Sequence, residues 1–118
     1  MPSSILVVDD AEEAREALRY LLEIEGHSVV AVENGEEALR VLRSGESVGL
    51  VLLDLMMPVL DGWSFLAERA RDPALSAIPV VVVSALEPRA PLDVTAHLSK
   101  PVDPEALLSL VERYCQPL

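Results

Sequence analysis

Three carboxylates, a hydroxyl and an ammonium stand out in this chain because each follows directly on a short apolar run. Ile5-Leu6-Val7-Val8 leads into Asp9-Asp10, and Leu50-Val51-Leu52-Leu53 leads into Asp54. Ile78-Pro79-Val80-Val81-Val82-Val83 leads into Ser84, and Ala96-His97-Leu98-Ser99 leads into Lys100. If these groups share one site, the carboxylates repel. At ~4 Å and an effective dielectric of ~20, each like-charge pair costs roughly 4 kcal/mol. One lysine does not balance three carboxylates, whereas a hard divalent cation does. Mg2+ favours one or two carboxylates together with waters and a phosphate. The chemistry such a set could do is to hold a divalent cation and, beside it, a phosphate.

The elements between these residues decide whether they meet. A short apolar run bounded by turn signals reads as a strand buried on both faces. The runs give strands at Ile5–Val8, Ser28–Val32, Leu50–Leu53, Ile78–Ser84 and Ala96–Ser99. Between them lie helical patterns. Asp10 and Glu13 resemble an N-cap arrangement before Ala14, Ala17, Leu18, Leu21 and Leu22, with Gly26 as the stop. Asn34 and Glu37 form a capping box for a second helix that ends at Ser44-Gly45. A third helix starts near Asp61-Gly62, and Asp72-Pro73 closes it or begins a loop. Asp103-Pro104-Glu105 opens the last helix, with Leu107, Leu108, Leu110, Val111 and Tyr114 on its apolar side. Strict alternation implies a parallel sheet with helices on both faces and right-handed crossovers. All strand ends then point to one edge, where open α/β sheets bind ligands.

The whole chain narrows the function further. Its 118 residues suit one domain, residues 1–118, with a modest core. Hydrophobic residues make up 51% and aromatics only 3%, so Val, Leu, Ile and Ala must build that core. The net charge of −11 argues against direct binding of DNA or RNA. Cys115 is the single cysteine, so no internal disulfide forms, which fits a reducing cytoplasm. No apolar run approaches the ~18–20 residues of a membrane span, and no secretory signal opens the chain.

Taken together, Val8-Asp9-Asp10, Asp54-x-x-Met57-Pro58-x-x-Asp61-Gly62, Ser84-Ala85 and Lys100-Pro101 resemble the receiver domain of two-component response regulators. The resemblance spans nearly the whole chain and keeps the family's order. It implies an α/β fold: a doubly wound, five-stranded parallel sheet in the flavodoxin-like order 2-1-3-4-5. It also implies that Asp54 accepts a phosphoryl group from a phosphohistidine on a sensor histidine kinase or phosphotransfer protein. Asp10 would ligate Mg2+ (or Mn2+) directly, and Asp9 would act mostly through a bound water. Asp54 itself and the backbone carbonyl of Met56 would complete the protein ligands. Lys100 would pair with the phosphoryl oxygens, Ser84 would donate its hydroxyl to one of them, and the Lys100–Pro101 bond would be cis. The protein would be a cytoplasmic switch that engages a downstream protein target and slowly hydrolyses its own phosphoryl group, not a turnover enzyme.

Taken singly, each residue also has an ordinary reading. Asp9 or Asp10 could be a helix cap, Asp54 a loop carboxylate bonded to amides, Ser84 a strand-end hydroxyl, and Lys100 a solvated lysine. Trp63 reads as a packing residue at the start of the third helix. Two departures from the family pattern bear on output. His97 stands where an aromatic residue, Tyr or Phe, is usual. Pro88 and Pro91 fall where a fourth helix belongs, so that helix is expected to be short or missing. Other classes fit less well. A degenerate receiver acting as a phosphorylation-independent scaffold would not need the intact acidic pair, Ser84 and Lys100. A phosphatase of the haloacid-dehalogenase type would carry Asp-x-Asp after its first strand, where this chain has Asp9-Asp10-Ala11. A flavodoxin-like flavin binder would carry a Ser/Thr/Gly-rich phosphate loop there.

Overall fold

The apolar runs become strands and the capped stretches become helices. The structure is a computed structural model that describes residues 3–56, 61–85 and 94–115. In chain order the elements are β1 (Ser4–Val8), α1 (Glu12–Ile24), β2 (Val29–Val32), α2 (Gly35–Arg43), β3 (Val48–Leu53), α3 (Gly62–Arg71), the single turn α4 (Pro73–Ser76), β4 (Val80–Ser84), β5 (Ala96–Ser99) and α5 (Pro104–Tyr114). The strands form one five-stranded sheet in the order β2-β1-β3-β4-β5, and every neighbouring pair is parallel.

Alternation along the buried strands divides the core in two. Ile5, Val7, Leu50, Leu52, Val81 and Val83 face Leu18 and Leu22 of α1 and Leu107 and Val111 of α5. Leu6, Val8, Val51, Leu53 and Val80 face Ala38, Leu39 and Leu42 of α2 and Phe65 of α3. Each fully buried Val or Leu contributes about 1.5–3 kcal/mol relative to exposure. The two apolar faces are what hold the strand ends level. At the far edge of the sheet α1 closes with a Schellman motif. Gly26 takes φ +91°, its N–H donates to the Glu23 carbonyl, and the His27 N–H donates to the Leu22 carbonyl.

The structure departs from the sequence reading in several places. Asp10 does not cap α1. The N-cap is Ala11, without a side-chain hydrogen bond, and Asp9 Oδ1 accepts the Ala11 N–H instead. With Asp9 holding the Ala11 N–H, the helix begins at Glu12, one residue later than an Asp10 cap requires. β4 begins at Val80, after Pro79, which has no N–H for the ladder. Asp72 caps a further turn, α4, by accepting the Ala74 N–H. Arg69, 7% exposed, fixes this turn by donating to the carbonyls of Ser76 and Ile78. Tyr114 is 38% exposed and lies off the packed side of α5, and Trp63 is 39% exposed. The short or missing fourth helix predicted between β4 and β5 lies at residues 86–93, outside the described residues; α4 is a different element and precedes β4.

Candidate functional site

Backbone hydrogen bonds carry the sheet one residue beyond β1 and β3 and so fix the acidic residues. The Asp9 N–H donates to the Val32 carbonyl at 3.2 Å, and the Asp54 N–H donates to the Val8 carbonyl at 2.9 Å. Asp9 and Asp54 thereby become neighbours at the carboxyl edge, 2% and 8% exposed, while Asp10 is exposed. One carboxylate oxygen from each of Asp9, Asp10 and Asp54 lies within 4.8 Å of the others. On the other side of Asp54, the Lys100 N–H donates to the Ser84 carbonyl at 3.1 Å, which ties β5 to β4 at the same level. Ser84 is buried. The Lys100–Pro101 bond is cis.

The side chains are not paired symmetrically. Lys100 Nζ lies 2.8 Å from Asp9 Oδ2 and 3.6 Å from Asp54 Oδ2. The Met56 N–H donates to Asp54 Oδ1 at 3.3 Å. Burial pushes the Asp54 pKa up from its ordinary value; the Met56 N–H and Lys100 draw it down, and Asp9 and Asp10 push it up again, with a net rise. Burial alone would lower the Lys100 pKa. The hydrogen bond to Asp9 and the charges of Asp9 and Asp54 outweigh it, so the net direction is up. Burial is the main cause of the rise at Asp54, whereas the negative charge of Asp9 and Asp54 is what raises Lys100. The donor set is all oxygen and opens to solvent at Asp10, which fits a hard divalent cation such as Mg2+.

The candidate residues Asp9, Asp10, Asp54, Ser84 and Lys100 therefore meet at one edge. Met56 joins them through its N–H, which donates to Asp54 Oδ1. One contributor escaped the sequence reading, and a second was read only as part of a helix start. Arg15, in α1, donates from Nη1 to the Asp9 carbonyl at 3.0 Å. Its only sequence signal is a basic residue following the acidic first turn of that helix. Gly62 opens α3, its N–H donating to the Leu55 carbonyl at 3.0 Å. A Cβ there would meet Leu55 Cα at 2.6 Å and the Asp54 carbonyl oxygen at 2.9 Å. The Asp61-Gly62 pair, read as the start of the third helix, is that start: Asp61 is the N-cap, with Oδ1 accepting the Ser64 N–H at 2.8 Å. His97 pairs in register with Val82, which pairs with Leu53. It ends that buried row half-exposed, with Nε2 buried and without a hydrogen-bond partner.

Comparisons with known proteins agree with this geometry. The family model described as the response regulator receiver domain matches residues 5–112. Protein PilH of Pseudomonas aeruginosa is 34% identical over 113 residues, covering 91% of this chain and 93% of PilH. The crystal structure of a response regulator receiver protein from Pseudomonas putida superposes with a TM-score of 0.85 at 30% identity, covering 96% of this chain and 98% of that one. The receiver domain of a sensor histidine kinase from Pseudomonas aeruginosa, solved with a magnesium ion in its active site cleft, superposes with a TM-score of 0.87. At 22% identity, over 97% of this chain and 98% of that one, this last likeness speaks for the fold. The family pattern runs from the first buried strand to the last helix and takes in every residue of the acidic edge, and this chain belongs to the response regulator receiver domains.

Proposed function

We propose that the chain is a phosphorylation-switched receiver whose Asp54 takes a phosphoryl group from the phosphohistidine of a sensor histidine kinase or phosphotransfer protein. The observation that carries this reading is Asp54 itself. It is a buried carboxylate at the end of β3, clustered with those of Asp9 and Asp10 and 3.6 Å from an ammonium. In the transfer, an Asp54 carboxylate oxygen bonds to phosphorus as the phosphorus–nitrogen bond breaks, and the electron pair stays on the donor imidazole. Receiver domains bind Mg2+ in an acidic pocket, and the residues that would hold it here are Asp10 and Asp54 directly, Asp9 through water, and the Met56 carbonyl. When bound, the metal neutralises charge on the carboxylates and on the phosphoryl oxygens.

The chain's own residues do the rest. Lys100 pairs with Asp9 in the unmodified protein and needs only a short shift toward Asp54 to meet a phosphoryl oxygen. The Met56 N–H, already directed at Asp54 Oδ1, holds the attacking carboxylate in one orientation. Ser84 donates its hydroxyl to a second phosphoryl oxygen. A mostly apolar cleft of about 680 Å3 lies beside Lys100, between α1 and the start of α5. Ala14, Ala17, Leu21, Val102 and Pro104 line it. Its small residues permit close approach of a donor helix and support docking there. Output would pass through residues 86–95, with His97 moving as Ser84 shifts, to a downstream protein. The test is incubation with a small phosphodonor and Mg2+, followed by intact mass and site mapping. One phosphoryl group on Asp54, lost in Asp54→Ala, supports the reading. Labelling elsewhere, or undiminished labelling of Asp54→Ala, refutes it.

A further inference from the structure

The chemistry above leaves Arg15 unused. Its side chain is half-buried, and Nη1 donates to the Asp9 carbonyl at 3.0 Å. That carbonyl belongs to the peptide joining Asp9 to Asp10, so the bond fixes the plane of that peptide. The peptide after Asp10 is held as well, because the Ala11 N–H donates to Asp9 Oδ1 at 3.0 Å. Both peptides flanking Asp10 are thus anchored, one by a guanidinium and the other by its neighbour's carboxylate. Asp10 is exposed and α1 has no side-chain cap. The direction of its carboxylate into the cluster therefore depends on how those two peptides are set. A guanidinium suits the task, since its charge strengthens a hydrogen bond to a carbonyl.

Arg15 also brings positive charge toward an acidic cluster. Were charge its whole contribution, removing it would tighten the binding of a cation. Positioning demands the opposite sign.

We propose that Arg15 is a positioning residue for the cation site: by holding the Asp9 carbonyl it aims the Asp10 carboxylate and so sets the affinity for Mg2+. This rests on the Mg2+-dependent receiver reading. The experiment is a calorimetric titration of the full chain with Mg2+, for the unaltered protein, Arg15→Met and Arg15→Lys, with a thermal melt of each. Arg15→Met is expected to weaken Mg2+ binding about tenfold, the scale on which residues behind metal ligands act. The Mg2+ concentration for half-maximal phosphorylation should rise by the same factor. Arg15→Lys keeps a donor and a charge and should recover most of the loss. Amide shifts of Asp10 and Ala11 should move in Arg15→Met and return in Arg15→Lys. Equal or tighter Mg2+ binding by folded Arg15→Met overturns the proposal, as does a lower melting temperature with unchanged affinity. Should Arg15→Met not fold, Arg15→Gln takes its place under the same criterion. If the unaltered protein binds no Mg2+, the receiver chemistry and this inference fall together. If it binds and Arg15→Met binds equally well, only this inference falls.

Discussion

Asp54 is a carboxylate kept where its charge is unwelcome, and this has measurable consequences. Its pKa is raised by burial and by Asp9 and Asp10, against the pull of Met56 and Lys100. A group whose folded pKa lies above its unfolded value favours folding when protonated, and that contribution is lost as pH rises through the folded pKa. Without Mg2+, Asp54→Asn should therefore be the more stable protein near neutrality, by roughly 1 kcal/mol or a few degrees in Tm. The gap should close as pH falls into the acid range, which paired melts across pH will measure. Millimolar Mg2+ should raise the Tm of the unaltered chain by mass action and that of Asp54→Asn much less; at 100 times Kd the gain is about 2.7 kcal/mol. Lys100 has the opposite role. Its raised pKa reflects charge it satisfies, so its contribution is complete at neutral pH and lost only as pH climbs through the alkaline range. Lys100→Ala leaves the buried Asp9 carboxylate without its ion pair and should cost about 1–3 kcal/mol in urea unfolding. An unchanged midpoint would mean that Asp9 is satisfied some other way.

Helix α3 serves the site at one end and the scaffold at the other, and the two ends should separate under mutation. At its start, Gly62 sits so close to the loop after Asp54 that a Cβ would lie 2.6 Å from Leu55 Cα, which is backbone and cannot swing aside. Gly62→Ala should cost about 1–3 kcal/mol, as overpacking does. It should also slow phosphorylation of Asp54, because relief of the clash moves the loop that carries the Met56 N–H. At its end, Arg69 holds α4 through carbonyls of Ser76 and Ile78. Hydrogen bonds from a charged donor are worth about 1.5–3 kcal/mol, so Arg69→Met should lower stability by that order. Mg2+ affinity should stay unchanged, because Arg69 acts on the turn that leads into β4 and not on the acidic edge. A titration in which both variants lost Mg2+ binding equally would contradict this division of α3.

Across the whole molecule, a charge of −11 on 118 residues means that self-repulsion opposes the compact state. Monovalent salt should therefore raise Tm between low ionic strength and about 0.15 M, where the Debye length falls to about 8 Å. The rise should persist in Asp54→Asn, because it comes from the whole surface and not from the site. A flat salt response in that variant would trace the effect to the acidic cluster instead. Among the described residues, no helix is long and apolar enough to cross a membrane.

The sheet, its helices and the strand ends that carry Asp9, Asp54, Ser84 and Lys100 were legible in the amino-acid pattern. These follow from local pattern: apolar runs of strand length, capping residues, and glycines such as Gly26 and Gly45 where φ is positive. Local pattern also misled at the start of α1, where Asp10 was expected to be the cap but Ala11 is, with its N–H held by Asp9. How the charges pair is settled by the packing of distant elements. Lys100 lies 91 residues from Asp9, and its choice of Asp9 over Asp54 depends on strand order and on side-chain reach over the ends of β4 and β3. The grip of Arg15 on the Asp9 carbonyl and the fit of Gly62 against Leu55 are decided in the same way. Such contacts depend on distances between packed elements, which no spacing along the chain encodes.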